Sequence, residues 1–86
     1  VSAVTEDAGL VGAMVETLVK GFVDHPEAVA VSGGARSHTL VFELKVDPQD
    51  LGKVIGRQGR TARALRALVG LAGEKLHQRT LLQILE

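Results

Sequence analysis

The sequence predicts an α+β fold of two layers, three helices on one face of a three-stranded mixed sheet, in the order α-β-β-α-α-β. Three observations predict it. Apolar residues recur in pairs every four positions from Leu10 to Val23. They alternate singly from Leu40 to Val46. A second helical stretch is cut by two glycines three apart, and a last apolar segment, Thr80–Leu85, follows it. At 86 residues, 45% of them hydrophobic, the chain has room for one domain with a real core. That domain is expected over residues 8–86, behind a loose tail at residues 1–7.

The first helix is read from about Ala8, with Asp7 as its N-cap and Leu10, Val11, Met14, Val15, Leu18, Val19, Phe22 and Val23 as one apolar stripe. Asp24-His25-Pro26 is expected to end it, because proline disfavours helical geometry in the residue before it. Ala28–Ser32 reads as a short strand and Gly33–Ser37 as the loop of a hairpin. Thr39–Asp47 is the second strand, with Leu40, Phe42, Leu44 and Val46 facing a core. Asp47-Pro48 starts a short helix, the aspartate capping and the proline supplying a preset φ, and Asp50 adds an acid near the positive end of the dipole. That helix runs to about Ile55. After Gly56-Arg57-Gln58-Gly59 a third helix is expected from Arg60 to Ala72, with Ala62, Leu65, Leu68, Val69 and Ala72 inward and Gly73 as its stop. Thr80–Leu85 is the last strand, and the strand–helix–helix–strand order can place it parallel to the second.

Formal charge is zero, but unevenly spread. Residues 1–50 carry three basic and eight acidic side chains; residues 51–86 carry seven basic and two acidic. A neutral total thus hides a basic field in the second half, unless acidic groups fold across it. The chain has no cysteine, which removes disulfides and the commonest zinc ligand and suits a reducing cytoplasm, the expected location. No apolar run is long enough to span a bilayer, and the first residues lack a signal-peptide pattern. His25, His38 and His77 sit in separate turns, so no metal set is expected. Asp47 and Asp50 read as capping residues, not a catalytic pair, and Gly52-Lys53 lacks the spacing of a P-loop. Neither enzymatic activity nor a cofactor is expected.

The chemistry concentrates at Gly52–Arg60. Two glycines three apart between two helices make a tight turn with no β-carbon in the way. A sugar-phosphate backbone can lie against such a turn, and the next helix brings unpaired N–H groups and its dipole to the same place. Lys53, Arg57, Arg60 and Arg63 add positive charge, Gln58 adds a neutral donor, and Val54 and Ile55 offer an apolar wall. The plainer alternative is a helix corner that needs glycine only for close packing.

The run Gly52-Lys53-Val54-Ile55-Gly56-Arg57-Gln58-Gly59-Arg60 resembles the KH-domain signature I-G-x-x-G. The flanks at 15–27, 46–52 and 60–66 resemble the KhpA family of small bacterial KH proteins, and the likeness covers residues 12–86. The resemblance implies a type II KH fold with the loop glycines at Gly56 and Gly59, variable loop positions at Arg57 and Gln58, and groove-lining positions at Val54 and Ile55. It implies a groove for about four nucleotides of single-stranded RNA. It also implies a homodimer or a heterodimer with a KhpB-like RNA-binding partner, and post-transcriptional or RNA-chaperone work. The last loop, Gly73–Arg79, departs from the family pattern, so the resemblance assigns no contact to Lys75 or Arg79. With no Trp or Tyr, and with Phe42 facing the core, no aromatic platform is expected to stack bases. The competing class is a protein-interaction module, using Val41, Leu81 and Leu85 on the open face of the sheet.

Overall fold

The computed structural model describes residues 3–85. Its elements are α1 (Ala3–Lys20), β1 (Ala30–Arg36), β2 (Thr39–Lys45), α2 (Leu51–Ile55), α3 (Arg60–Lys75) and β3 (Arg79–Ile84). Short 3₁₀ turns occupy Pro26–Ala28, Pro48–Asp50 and Arg57–Gly59. Strand order is β1-β2-β3, with β1 and β2 antiparallel and β2 and β3 parallel. Helices cover one face. This is the α-β-β-α-α-β arrangement of a type II KH fold.

Helix α1 differs from expectation at both ends. It begins at Ala3, so Asp7 lies inside it and does not cap. Val1 and Ser2, the start of the expected tail, lie outside the described residues. It stops at Lys20, not Val23, because Gly21 follows and glycine weakens a helix interior by about 1 kcal/mol. The amides of Gly21 and Phe22 turn back to the carbonyls of Leu18 and Val19, both at 3.1 Å. The apolar stripe also splits. Val11, Val15 and Val19 are buried, while Leu10, Met14, Leu18 and Phe22 are exposed.

The hairpin loop is shorter than the glycine pair suggested. β1 runs through Gly33-Gly34 to Arg36, and only Ser37 and His38 turn, both with positive φ (43° and 66°). Two successive left-handed residues match the twist of the flanking strands. Gly33 serves the sheet instead: its φ is 121°, and a β-carbon there would stand 3.1 Å from the Phe42 Cα.

β2 is the centre of the core. Leu40, Phe42 and Leu44 are buried on its inner face, against Val11, Val15 and Val19 of α1, Val54 of α2, Leu65 and Val69 of α3, and Leu82 of β3. Leu68, expected inward, is 42% exposed, because the inward line of α3 runs Ala62, Leu65, Val69, Gly73. Gly73 does not stop the helix. It is buried within it, where a β-carbon would come 2.7 Å from the Gln78 carbonyl oxygen. The helix ends two residues later, at Lys75. His77 takes a left-handed φ of 56°, Gln78 N–H returns to the Gly73 carbonyl at 2.8 Å and His77 N–H to that of Glu74 at 3.2 Å. These are the paired bonds of a Schellman motif, with histidine where glycine usually sits.

Candidate nucleic-acid interface

The base of the Gly56–Gly59 loop is strapped from below. Asp47 accepts a hydrogen bond from Gln49 N–H at 2.8 Å and so caps the turn that leads into α2. Asp50, only 1% exposed, is the buried acid. Its carboxylate accepts from the backbone N–H groups of Asp24 (3.2 Å) and His25 (2.9 Å). The exit from α1 is thereby tied to the start of α2. His25 Nε2 also meets Gln49 Oε1 at 3.1 Å, and that hydrogen bond, with the nearby Asp47, Asp50 and Glu27 carboxylates, holds the imidazole pKa above its ordinary value. Asp50 was legible as an end-of-helix acid, but its anchoring role depends on a contact 26 residues away.

α2 closes with Gly56 N–H on the Gly52 carbonyl at 2.9 Å. Gly56 then takes φ 77° and ψ 172°, a conformation open to glycine, and a β-carbon there would lie 2.9 Å from the amide nitrogen of Thr61. Gln58 is also left-handed (φ 56°), which turns it outward, and Gly59 follows at φ 73°. Beside Gly59 the nearest atom to an added β-carbon is the Arg63 guanidinium at 3.7 Å, so this face of the loop is open. Gly59 is the N-cap of α3 and has no side chain to bond the first amides of that helix. The Arg60 amide is held by the Arg57 carbonyl and the Gly59 amide by that of Gly56 at 3.1 Å, so only the amides beyond them are left for solvent or an anion.

A groove of about 350 Å³ runs beside the loop, lined by Ile55, Gly59, Ala62, Arg63, Arg66 and Ile84. Of the residues expected at the site, it brings together Ile55, Gly59 and Arg63. Arg57, Gln58 and Arg60 are exposed but are not among the residues that line it. Val54 is a correction: its side chain is fully buried in the core and forms no part of the wall. Adjacent helical positions face different ways, and Ile55, 37% exposed, is the one that faces out. Ala62, Arg66 and Ile84 were missed. The first two share one face of α3 with Gly59 and Arg63, at spacings of three and four, a signal present in the sequence. Ile84 reaches the groove from β3, a contact far in sequence from the loop that no local pattern shows.

The charge is partly answered from within. Lys53 pairs with Asp24, whose carboxyl that hydrogen bond and charge hold below its usual value. Lys53 is therefore less free than expected. Among the described residues no carboxylate lies within 4.0 Å of Arg57, Arg60, Arg63 or Arg66. Arg60 reaches only Gln58 Oε1 at 3.4 Å, and Arg66 Nε donates to the Leu82 carbonyl at 3.3 Å. The acidic half of the sequence does not fold across the arginines.

A family model described as KhpA/KhpB, KH domain, matches residues 13–84. The chain belongs to this KhpA/KhpB KH-domain family. It is 45% identical over 74 residues to the RNA-binding protein KhpA of Caldanaerobacter subterraneus subsp. tengcongensis, covering 86% of this chain and 99% of the relative. It is 48% identical over 73 residues to the RNA-binding protein KhpA of Halalkalibacterium halodurans, covering 85% and 96%. It is 57% identical over 58 residues to that of Streptomyces coelicolor, covering 67% and 73%. The matched stretch includes Ile55-Gly56-Arg57-Gln58-Gly59, the loop described above. Among the described residues no helix is long and apolar enough to cross a membrane.

Proposed function

We propose that this protein is a cytoplasmic binding module, not an enzyme, that holds single-stranded RNA in the groove beside Gly56–Gly59. The observation that carries the reading is the loop itself: Gly59 leaves its main chain open where the N-terminal amides of α3 begin, while Gly56 makes the tight approach to Thr61 that holds the turn. Phosphates lie against the loop and the α3 N-terminus, with Arg57, Arg60 and Arg63 supplying charge and Gln58 a neutral donor. Bases rest on Ile55, Ala62 and Ile84, and the site takes about four nucleotides. With aliphatic walls and no aromatic platform, affinity per domain is modest and sequence preference weak. Post-transcriptional regulation or RNA chaperoning is the work that fits such a grip. Support comes from the exposed arginines and from relatives that carry the name RNA-binding protein.

The test is a titration of short single-stranded RNA into the wild type and into Arg57→Asp/Gln58→Asp. Both side chains are exposed, so the fold is expected to survive. Binding is expected to fall at least about tenfold, as two acids replace a cation and a donor beside phosphate. Unchanged binding by the folded variant sinks the reading.

A second reading concerns assembly, as a homodimer or with a KhpB-like RNA-binding protein. It is favoured by the unpartnered apolar side chains on the helical layer, Leu10 (69% exposed), Leu18, Leu68 and Leu71 (63%). Two linked grooves would raise avidity without a new contact to RNA. Sedimentation of the wild type against Leu68→Glu checks it; a wild-type monomer at high concentration would exclude the homodimer.

A further inference from the structure

A second cluster of unpaired basic side chains lies at the other end of the molecule. The inner face of β2 carries Leu40, Phe42 and Leu44, so Thr39, Val41, Glu43 and Lys45 face outward, away from the helices. Strand register then fixes which neighbours share that open face. Thr39 pairs with Arg36 of β1 and Arg79 of β3. The two arginines therefore flank it in one row, two strand spacings or about 10 Å apart. The next row is Gly34, Val41 and Leu81, apolar and open: Leu81 is 46% exposed, and nothing lies within 4 Å of a β-carbon built on Gly34. Arg79 N–H donates to the His38 carbonyl at 2.9 Å, which locks the β3 start to the hairpin turn and fixes the row. Among the described residues neither arginine has a carboxylate within 4.0 Å. Glu43 is the one acid facing outward from β2, and it stands two rows away. The cluster is remote from the groove, since the 16 residues of α3 span about 24 Å between the loop and this end.

The geometry points to a second contact for a single-stranded RNA backbone on the open face of the sheet, with Arg36 and Arg79 on phosphates and Gly34, Val41 and Leu81 as a floor for a base. This rests on the reading of the protein as an RNA binder and extends it: one chain touches a long RNA at two ends. Paired, unopposed cations on a rigid row favour a polyanion over an apolar partner. A strand held at both places lets a single small domain hold a long RNA extended, which a groove for about four nucleotides alone does not.

The test compares oligouridine of about 5 and about 25 nucleotides, the longer outreaching the 36 Å long axis of the molecule at about 3.4 Å per nucleotide. Wild type and Arg36→Gln/Arg79→Gln are titrated with each at several salt concentrations. Both arginines are exposed, and the fold is checked by circular dichroism. The double variant is expected to bind the short probe within twofold of wild type and the long probe at least threefold more weakly. Its salt slope on the long probe is expected to be shallower by about 1.4, the loss of two phosphate contacts on a single strand. Equal binding of the long probe with an unchanged slope overturns the proposal, leaving the face to a protein partner or to solvent. Equal losses on both probes overturn it too, because the arginines would then belong to the groove site. The groove reading fails separately, if Arg57→Asp/Gln58→Asp still holds the short probe as tightly as wild type does.

Discussion

Two glycines that look alike in the sequence differ in what they do. Gly33 sits at φ 121° with the β2 backbone against it, whereas Gly52 has no atom within 4 Å of a β-carbon and lies in a helix. Gly33→Ala is expected to cost at least about 2 kcal/mol by strain and collision, and Gly52→Ala to gain about 0.5–1 kcal/mol by helix propensity. Urea denaturation of the two variants measures the contrast; equal effects would contradict the assigned backbone. Asp50 makes a harder demand. Asp50→Ala leaves two part-buried amides without their acceptor, a loss of about 1–3 kcal/mol in the same experiment. His25 gives a pH signature. Its folded pKa is raised, so its contribution to stability is full below the unfolded histidine value and is lost as pH rises through the folded one. An NMR titration is expected to show the His25 imidazole titrating above an unstructured histidine, and Gln49→Ala to bring it down.

Elements with a full period are legible in the sequence. β2 could be read because every second residue from Leu40 to Val46 is apolar, and α3 because its buried residues recur at three and four. Turns were less legible, since glycine marks more than one thing. Gly33-Gly34 reads as a loop, yet Gly33 is there because Phe42 and Val41 leave no room beside the strand. Gly73 reads as a stop, yet it lets β3 approach α3. The true turns fell to Ser37-His38 and His77, residues with no conformational preference for positive φ as strong as that of glycine. These places can be improved. Ser37→Asn/His38→Gly is expected to stabilise the hairpin, and His77→Gly the end of α3, by about 1 kcal/mol each. A lower midpoint of thermal unfolding in either variant would contradict the turn assignment. The candidate site was legible at its loop, where local spacing carries the chemistry. It was illegible at Val54, whose direction depends on how α2 docks, and at Ile84, which meets the groove by a contact far in sequence from the loop.

At the scale of the whole molecule, the charge asymmetry of the sequence survives folding. Among the described residues only Lys53 of the basic half meets a carboxylate, so the arginines of the loop and α3 present a field to solvent. Binding of a short strand is therefore expected to weaken with salt at a slope of about −2 for three phosphate contacts, roughly sixteenfold for a fourfold rise in salt. A flat salt response would place the affinity in apolar contacts instead. Where the strand lies is read most directly from a map of backbone amide shifts on adding a short single-stranded RNA to labelled protein. The largest changes are expected to run from Ile55 through Arg63, with Ile84 across the groove. Changes centred on Leu10, Leu18 and Leu71, with Gly56–Gly59 unmoved, would contradict binding beside the loop.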